Sequence, residues 1–190
     1  CGKYRYFVLE MEKILFQEEQ KNNQRWMIII LLISMFAAIT PIAYGIYSQE
    51  VLHVPFGDKP ASTGTLVVIG LGLIVVIAAA NYLIIKMTLK VKITSDALWV
   101  SFPPLIRKWR IITPAMIEKY EFRTYNAHRE FGGHGFKRKL KRGSAFTISG
   151  KEGLQLYFTN GKKLLIGTQR KQAFEYALKK LMETEKRSYD

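Results

Sequence analysis

A dense run of basic residues follows a glycine-rich stretch in the second half of the chain. Its cations are Lys137, Arg138, Lys139, Lys141 and Arg142. Phe136 and Leu140 flank or interrupt this run, and Phe131 lies a few residues upstream. Cations interleaved with apolar side chains suit an anionic membrane surface, where each lysine or arginine contributes about 1 kcal/mol. We therefore predict that the five cations bind anionic lipid and that Phe131 and Phe136 contact the membrane.

Two other interpretations of the basic run stay open at this point. The run can be a solvated face whose charge only fixes the side of the membrane, because lysine and arginine are usually exposed. A stretch of this charge also attracts nucleic acid. The charge pattern alone therefore does not decide between lipid, solvent and nucleic acid.

The remaining polar residues offer little for catalysis or metal binding. The histidines are His53, His128 and His134, and a metal site would need more ligands than these. No nucleophile, base and orienting acid occur together, and Ser144 and Ser149 fit strand positions. The glycines of residues 131–135 (FGGHG) are not followed by the GK[ST] of a nucleotide loop. The sequence therefore predicts a non-enzymatic protein that uses no metal and no cofactor.

Two apolar stretches, residues 26–47 and 65–85, precede this part of the chain. Each is about 21 residues long, which at 1.5 Å per residue matches a hydrocarbon core of roughly 30 Å. Neither contains an Asp, Glu, Lys, Arg or His. The linker between them, residues 48–64, carries two prolines and is too short for a domain. We predict a transmembrane hairpin made of two helices.

The charge distribution predicts the orientation of this hairpin. Cations flank its outer ends at Lys13, Lys21, Arg25, Lys86, Lys90 and Lys92, whereas the linker offers Lys59 alone. Because cationic flanks stay on the inner side, both chain ends are expected in the cytoplasm. Residues 86–190 hold 23 Lys+Arg against 9 Asp+Glu, and residues 1–85 hold 6 of each. The excess charge therefore belongs to one soluble domain that follows the hairpin and lies beside lipid headgroups, so nucleic acid is not expected as a partner.

Two interpretations of the first residues also stay open. A chain that opens at Cys1 can be the product of cleavage at a lipidated cysteine, or Met11 can be the true start. A single cysteine cannot form an intramolecular disulfide, as is typical of a reducing compartment. Residues 1–25 are expected to form an N-terminal arm in the cytoplasm, as a juxtamembrane helix or a solvated segment.

Residues 86–190 change to the period of two that is typical of half-buried strands. We predict seven strands at residues 87–94, 97–102, 106–112, 117–125, 144–149, 153–159 and 162–166. Residues 126–142 are predicted to be an irregular loop, and Trp99 and Trp109 to lie in the core. An amphipathic helix over residues 169–187, with Thr168 as its N-cap, ends the domain. This α+β order of seven strands and one helix is that of a pleckstrin-homology-like barrel.

Four short motifs carry a resemblance to a family. They are residues 131–135 (FGGHG), 145–150 (AFTISG), 153–156 (GLQL) and 165–170 (LIGTQR). With these motifs, residues 87–181 resemble the bacterial membrane-anchored pleckstrin-homology-like domains. The resemblance implies a partly open, seven-stranded barrel capped by its C-terminal helix, a tether to the bacterial inner membrane and no established activity.

The sequence thus favours a membrane-tethered binding or scaffold module that contacts anionic lipid, a protein partner or both. The alternative is an accessory subunit whose hairpin packs against a larger membrane complex. A pocket specific for phosphoinositides is not expected, because the turn of the first hairpin, residues 94–97, contains Asp96 and no cation. Neither the oligomeric state nor the identity of a partner follows from the sequence.

Overall fold

The computed structural model describes residues 13–21, 25–57, 59–139 and 143–187 of the chain. The chain divides into two compact units. One is Asn23–Ile85, and the other combines Cys1–Asn22 with Lys86–Asp190. The second unit is therefore discontinuous, since its two parts come from either side of the first.

The first unit is built on two long apolar helices, as predicted. Helix α1 covers Arg25–Glu50 and helix α2 covers Thr63–Lys86. Both are long and apolar enough to cross a membrane. Their large side chains are exposed to an unusual degree, with Phe36 at 74% and Val68 at 70%. An apolar surface of this extent needs a partner other than water.

Within this unit, close packing at one glycine and the hydrogen bonds of one amide join the two helices. A Cβ atom at Gly70 would lie only 3.3 Å from Cγ2 of Ile42, so the absence of a side chain allows close packing there. The Gln49 amide donates to the carbonyl of Ala61 at 3.0 Å, and the Thr63 hydroxyl donates to the Gln49 oxygen at 3.1 Å. The end of α1 is thereby tied to the start of α2.

The second unit contains an antiparallel sheet of four strands in the described residues. Its order is β1 (Phe16–Lys21), β2 (Thr88–Ile93), β3 (Leu98–Phe102) and β4 (Ile106–Ile112). The sequence predicted a juxtamembrane helix or a solvated arm for the segment that contains β1. The structure corrects this prediction, because the segment forms a strand of the sheet. Its inward positions are Phe16, Glu18 and Gln20, and the last two are polar, so the alternation of apolar residues that marks a strand is missing.

Glu18 links β1 to the other sheet of this unit. Its carboxylate accepts hydrogen bonds from the Thr168 hydroxyl at 2.6 Å, the Gln169 backbone N–H at 2.9 Å and the Gln20 amide at 3.1 Å. The same Gln20 amide donates to the carbonyl of Gly167 at 2.9 Å. Because Glu18 is only 7% exposed, these donors replace the water that a buried carboxylate loses.

The second sheet has five strands in the described residues. They are β5 (Ile117–Thr124), β6 (Gly135–Lys139), β7 (Gly143–Thr147), β8 (Glu152–Phe158) and β9 (Lys163–Thr168). Their order is β5-β8-β9-β7-β6, with β7 and β9 parallel and the other pairs antiparallel. No ladder joins the two sheets in the described part of the chain, so they do not form a closed barrel.

The segment predicted as an irregular loop, residues 126–142, is largely regular, and this is a second correction. Helix α3 (Ala127–Phe131) begins where the Asn126 side chain accepts a hydrogen bond from the Arg129 N–H. It ends at Gly132, whose φ of 79° is the left-handed conformation that glycine adopts most easily. Strand β6 follows and pairs with β7. Residues 140–142 lie outside the described part.

Helix α4 (Lys171–Arg187) packs on the core through the predicted stripe. Phe174, Ala177, Leu178 and Leu181 are each at most 1% exposed. The Phe174 ring stacks on Phe16 of β1 at 4.9 Å and meets Phe122 of β5 edge-on at 5.5 Å. The helix begins at Lys171, so Thr168, which ends β9, is not its N-cap as predicted. The Thr168 hydroxyl donates to Glu18 and accepts a hydrogen bond from the Arg170 N–H at 3.0 Å, just before the helix.

Neither of the two tryptophans predicted in the core lies there. Trp109 is 44% exposed and Trp99 is half-buried, with its indole N–H donating to the Thr94 hydroxyl at 3.4 Å. Both stand on the outer face of the first sheet, since Trp99 pairs with Ile111 and Trp109 is two residues from Ile111. The prediction of a core position was therefore wrong for both tryptophans.

Removing the carboxylate of Glu18 should destabilise the second unit. In Glu18→Ala the Thr168 hydroxyl and the Gln169 N–H lose their acceptor, which costs about 2 to 4 kcal/mol of unfolding free energy. Glu19→Ala is the matched control, because Glu19 contacts Lys21 and Lys90 at 3.5 Å near the surface, where such pairs contribute roughly 0.5 kcal/mol. Denaturation of the full chain in detergent, followed by tryptophan fluorescence, measures both. Equal stability of the two variants would contradict this role of Glu18.

Candidate functional site: a cationic groove between two sheet edges

A groove of about 690 Å³ opens between the two sheets of the second unit. One wall is β4, the edge strand of the first sheet, and the other is formed by β6, β7 and the start of β9. Its basic lining residues are Arg110, Arg138, Lys139, Lys162 and Lys163. Its other lining residues are Ile106, Phe136, Gly143, Ser144, Phe146 and Gly161. No carboxylate lines the groove among the described residues.

Two of these cations stand at positions that face the core. Arg110 pairs across the sheet with Val100, which is fully buried. Arg138 pairs with Ser144, which in turn pairs with the buried Leu164. Cross-strand partners share a face of their sheet, so each arginine is directed to the side on which the two sheets face each other. The groove is where this interior opens to solvent.

The two arginines repel one another electrostatically. Burial, followed by the charge of Arg138, lowers the pKa of Arg110. The Arg110 guanidinium lies 5.3 Å from the centre of the Phe158 ring, and neither arginine forms an ion pair with a described carboxylate. Like charges held together without a counterion are unfavourable, and the cost falls when an anion binds between them.

Aromatic rings form the apolar part of the groove. Phe136 of β6 stacks on Phe146 of β7 at 5.1 Å with the ring planes 23° apart. Phe146 also contacts Phe102 of the first sheet at 5.9 Å. The backbone is closely packed at Gly143, where a Cβ atom would collide with the carbonyl of Lys163. This packing fixes the strand ends that carry the cations.

The structure separates the residues that the sequence predicted to act together. Arg138 and Lys139 line the groove, whereas Lys137 pairs with Ala145 and belongs to the opposite face of the sheet. Lys141 and Arg142 lie outside the described residues. Phe136 lies on the floor of the groove. Phe131 is only 3% exposed and packs in a small cluster with Tyr125, Ala127, Ala145 and Leu165, which leaves it little surface to offer a bilayer.

Sequence reasoning missed three cations of the groove, Arg110, Lys162 and Lys163. A signal was present for Arg110, because it is two residues from Ile112 and thus holds a core-facing position in an alternating strand. Lys162 and Lys163 follow the turn at Gly161, and nothing local points to their use. The Lys163 ammonium lies 5.6 Å from the ring centre of Tyr157, so it is already partly engaged.

Two other polar clusters of this unit lie outside the groove lining. Arg123 donates to both carboxylate oxygens of Glu130, at 3.1 and 2.7 Å, and this bond raises the pKa of Arg123. It ties β5 to helix α3. His128 and His134 meet edge-on with ring centres 5.8 Å apart, and burial, followed by the charge of His128, lowers the pKa of His134. Among the described residues no group of three or more His, Cys, Asp and Glu side chains could hold a metal ion.

Reversing the charge of Arg138 should stabilise the fold. In Arg138→Glu the repulsion of Arg110 becomes an attraction, which raises the unfolding free energy by about 0.5 to 1 kcal/mol at this partly exposed site. Lys151→Glu is the matched control, because Lys151 is exposed, precedes β8 and does not line the groove. Thermal unfolding of the full chain at low salt measures the difference. A midpoint for Arg138→Glu at or below that of Lys151→Glu would contradict the proximity of the two arginines.

The chemistry open to this groove is the non-covalent binding of an anion that carries an apolar part. A scan against protein-family models found no match, and a search of curated proteins found none either. The resemblance to pleckstrin-homology-like domains therefore stays a prediction. The functional interpretation rests on the geometry of the groove and on the two apolar helices.

Proposed function

We propose that this chain is a membrane-anchored, non-enzymatic binding module whose second unit contacts anionic lipid. The observation that carries this proposal is the groove, which is lined by five basic residues and, among the described residues, by no acidic one. Phosphate-bearing lipids supply both the negative charge and the apolar chains that such a surface accommodates.

The energetics favour a membrane as the source of the anion. A lysine or arginine near an acidic bilayer contributes about 1 kcal/mol, and salt screens this contribution over roughly 8 to 10 Å. A domain that is joined to a membrane hairpin has a high local concentration of lipid around it, so modest affinity suffices. The hairpin keeps the second unit close to the lipid, and the groove selects lipids that carry negative charge.

We propose further that α1 and α2 cross the membrane and that both ends of the hairpin lie on the cytoplasmic side. Lys21, which precedes α1 by four residues, pairs with Thr88, which follows α2 by two residues. A short antiparallel ladder cannot form across a bilayer, so this pairing supports a common side for both ends. The cationic flanks support the cytoplasm as that side.

We also propose that the second unit is a bacterial pleckstrin-homology-like domain at the inner membrane. The two-sheet α+β architecture with an amphipathic helix after the last strand supports this assignment. A protein partner is compatible with this assignment, because the outer edges of β4 and β6 carry no ladder in the described residues. Lipid and protein partners are therefore not exclusive.

The second candidate is an accessory subunit that packs against a larger membrane complex through its hairpin. A hollow of about 830 Å³ along one face of α1 favours it, and residues between Leu32 and Tyr47 line that hollow. In this candidate function the hairpin, and not the groove, binds the partner. Substitutions in the groove would then leave assembly with the complex intact, which separates the two candidates.

Anionic lipid should protect the groove strands from hydrogen exchange. In nanodiscs that contain phosphatidylglycerol, amides of β4 and β6 should exchange several-fold more slowly than in discs of phosphatidylcholine alone, because bound lipid excludes water from these edges. Arg138→Glu with Lys139→Glu should abolish this difference, since repulsion replaces attraction. Exchange mass spectrometry of the full chain makes the measurement.

Lys151→Glu with Lys180→Glu is the matched control for this experiment. Both lysines are exposed, neither lines the groove, and the total change in charge is the same. This variant should keep the protection by phosphatidylglycerol. Protection that survives in the groove variant, or disappears equally in the control, would contradict a lipid-binding groove.

Cysteine labelling should place the linker and the second unit on opposite sides of the membrane. In a Cys1→Ser background, Lys59→Cys in the linker should react with an impermeant maleimide in intact cells. Lys151→Cys, in the turn before β8, should react only after the membrane is permeabilised. Labelling of residue 151 in intact cells would contradict the cytoplasmic assignment.

A further inference from the structure

We infer that the groove holds a single amphiphilic phosphate, with its phosphate between Arg110 and Arg138 and its apolar part on Phe136 and Ile106. This inference rests on the proposed function and sharpens it. General contact with an anionic surface needs only outward-facing cations. Here two exposed arginines stand on the inward faces of two different sheets and line one groove beside apolar side chains, so the site has the form of a receptor for one molecule.

The guanidinium groups fit a terminal phosphate better than they fit other anions. Arginine presents its N–H donors in a planar fork that matches two oxygens of a phosphate, and such bonds are about twice as strong as neutral ones. Arg110 and Arg138 come from different sheets and act on each other electrostatically. A phosphate between them removes that repulsion and gives each arginine its own oxygens.

Lys139 and Lys162 add charge at the rim of the groove. Both are exposed lining residues; Lys139 is the last residue of β6 and Lys162 directly precedes β9. No described acidic side chain competes with a ligand for these cations, because none lines the groove. A phosphate carrying two negative charges is thus favoured over an anion carrying one.

The floor of the groove accounts for the apolar part of the ligand. Phe136 is half-buried and stacks on Phe146, which is only 2% exposed, and the half-buried Ile106 lies on the opposite wall. An anion without an apolar part would leave the open surface of Phe136 and Ile106 in contact with water. Burial of apolar area contributes about 25 cal/mol per Å², so short alkyl chains strengthen binding measurably.

The test titrates the full chain in nanodiscs of phosphatidylcholine. Its ligand is dihexanoyl phosphatidic acid, which is water-soluble and joins a terminal phosphate to two short acyl chains. Parallel arms use inorganic phosphate, dihexanoyl phosphatidylcholine and an oligoglutamate peptide, and empty discs give the background. Calorimetry should show saturable binding with one phosphatidic acid per chain, and weaker binding of the other three.

Substitution of the two arginines should weaken this binding selectively. Arg110→Gln with Arg138→Gln should lower the affinity about tenfold or more, because the charge-assisted hydrogen bonds are lost. Arg107→Gln with Lys108→Gln removes two cations of β4 outside the groove and should change the affinity by less than about twofold. Arg110→Lys with Arg138→Lys preserves charge and should still weaken binding several-fold, since lysine lacks the planar fork.

Three results would overturn the inference. The first is unchanged affinity in the glutamine or the lysine pair, and the second is an equal loss in the control pair. The third is binding of inorganic phosphate or oligoglutamate as tight as that of dihexanoyl phosphatidic acid. If phosphatidylglycerol still protects β4 and β6 while phosphatidic acid does not bind, the proposed function survives and only the single-molecule site is lost.

Discussion

The pairing of β1 with β2 is the constraint on which the second unit depends. It joins a strand that precedes the hairpin to one that follows it, and through Glu18 it also fastens the first sheet to β9 and to the start of α4. The unit can therefore not be completed by the residues after the hairpin alone. A hydrogen-bonded carboxylate, where most cores have an apolar side chain, makes this closure specific, because an unpaired Glu18 would be costly to bury.

The same two-sheet arrangement leaves its other side open. Between β4 and β6 the interior ends in a groove, and core-facing positions there carry Arg110 and Arg138 in place of the leucine or valine found nearby. Both arginines reach solvent, but their mutual repulsion lowers stability and no described carboxylate offsets it. Unfavourable charge at positions where the fold favours apolar side chains is typical of a binding site, where the ligand supplies the opposite charge.

Much of the fold could be predicted from the sequence, because its signals are local. The apolar lengths of α1 and α2, the alternation in β2 to β5 and the stripe of α4 are all visible within short windows. Strand β1 could not be predicted, since its inward Glu18 and Gln20 find their partners about 150 residues away. Strand β6 was hidden by neighbouring glycines and depends on pairing with β7. Of the groove cations, Arg138 and Lys139 could be predicted, because they lie in an evident basic run. Arg110 could not be placed with them, because it comes near them only where the two sheets face each other.

The distance between the ligand phosphorus and the arginine side chains tests the central claim most directly. Solid-state dipolar recoupling between ³¹P of bound phosphatidic acid and ¹⁵N-labelled guanidinium groups measures it in the full chain in a bilayer. The account predicts two arginines whose Nη atoms lie about 4 Å from phosphorus, as direct hydrogen bonds require, and the loss of both signals in Arg110→Gln with Arg138→Gln. Saturated binding without recoupling to arginine, or recoupling that persists in this variant, would contradict it.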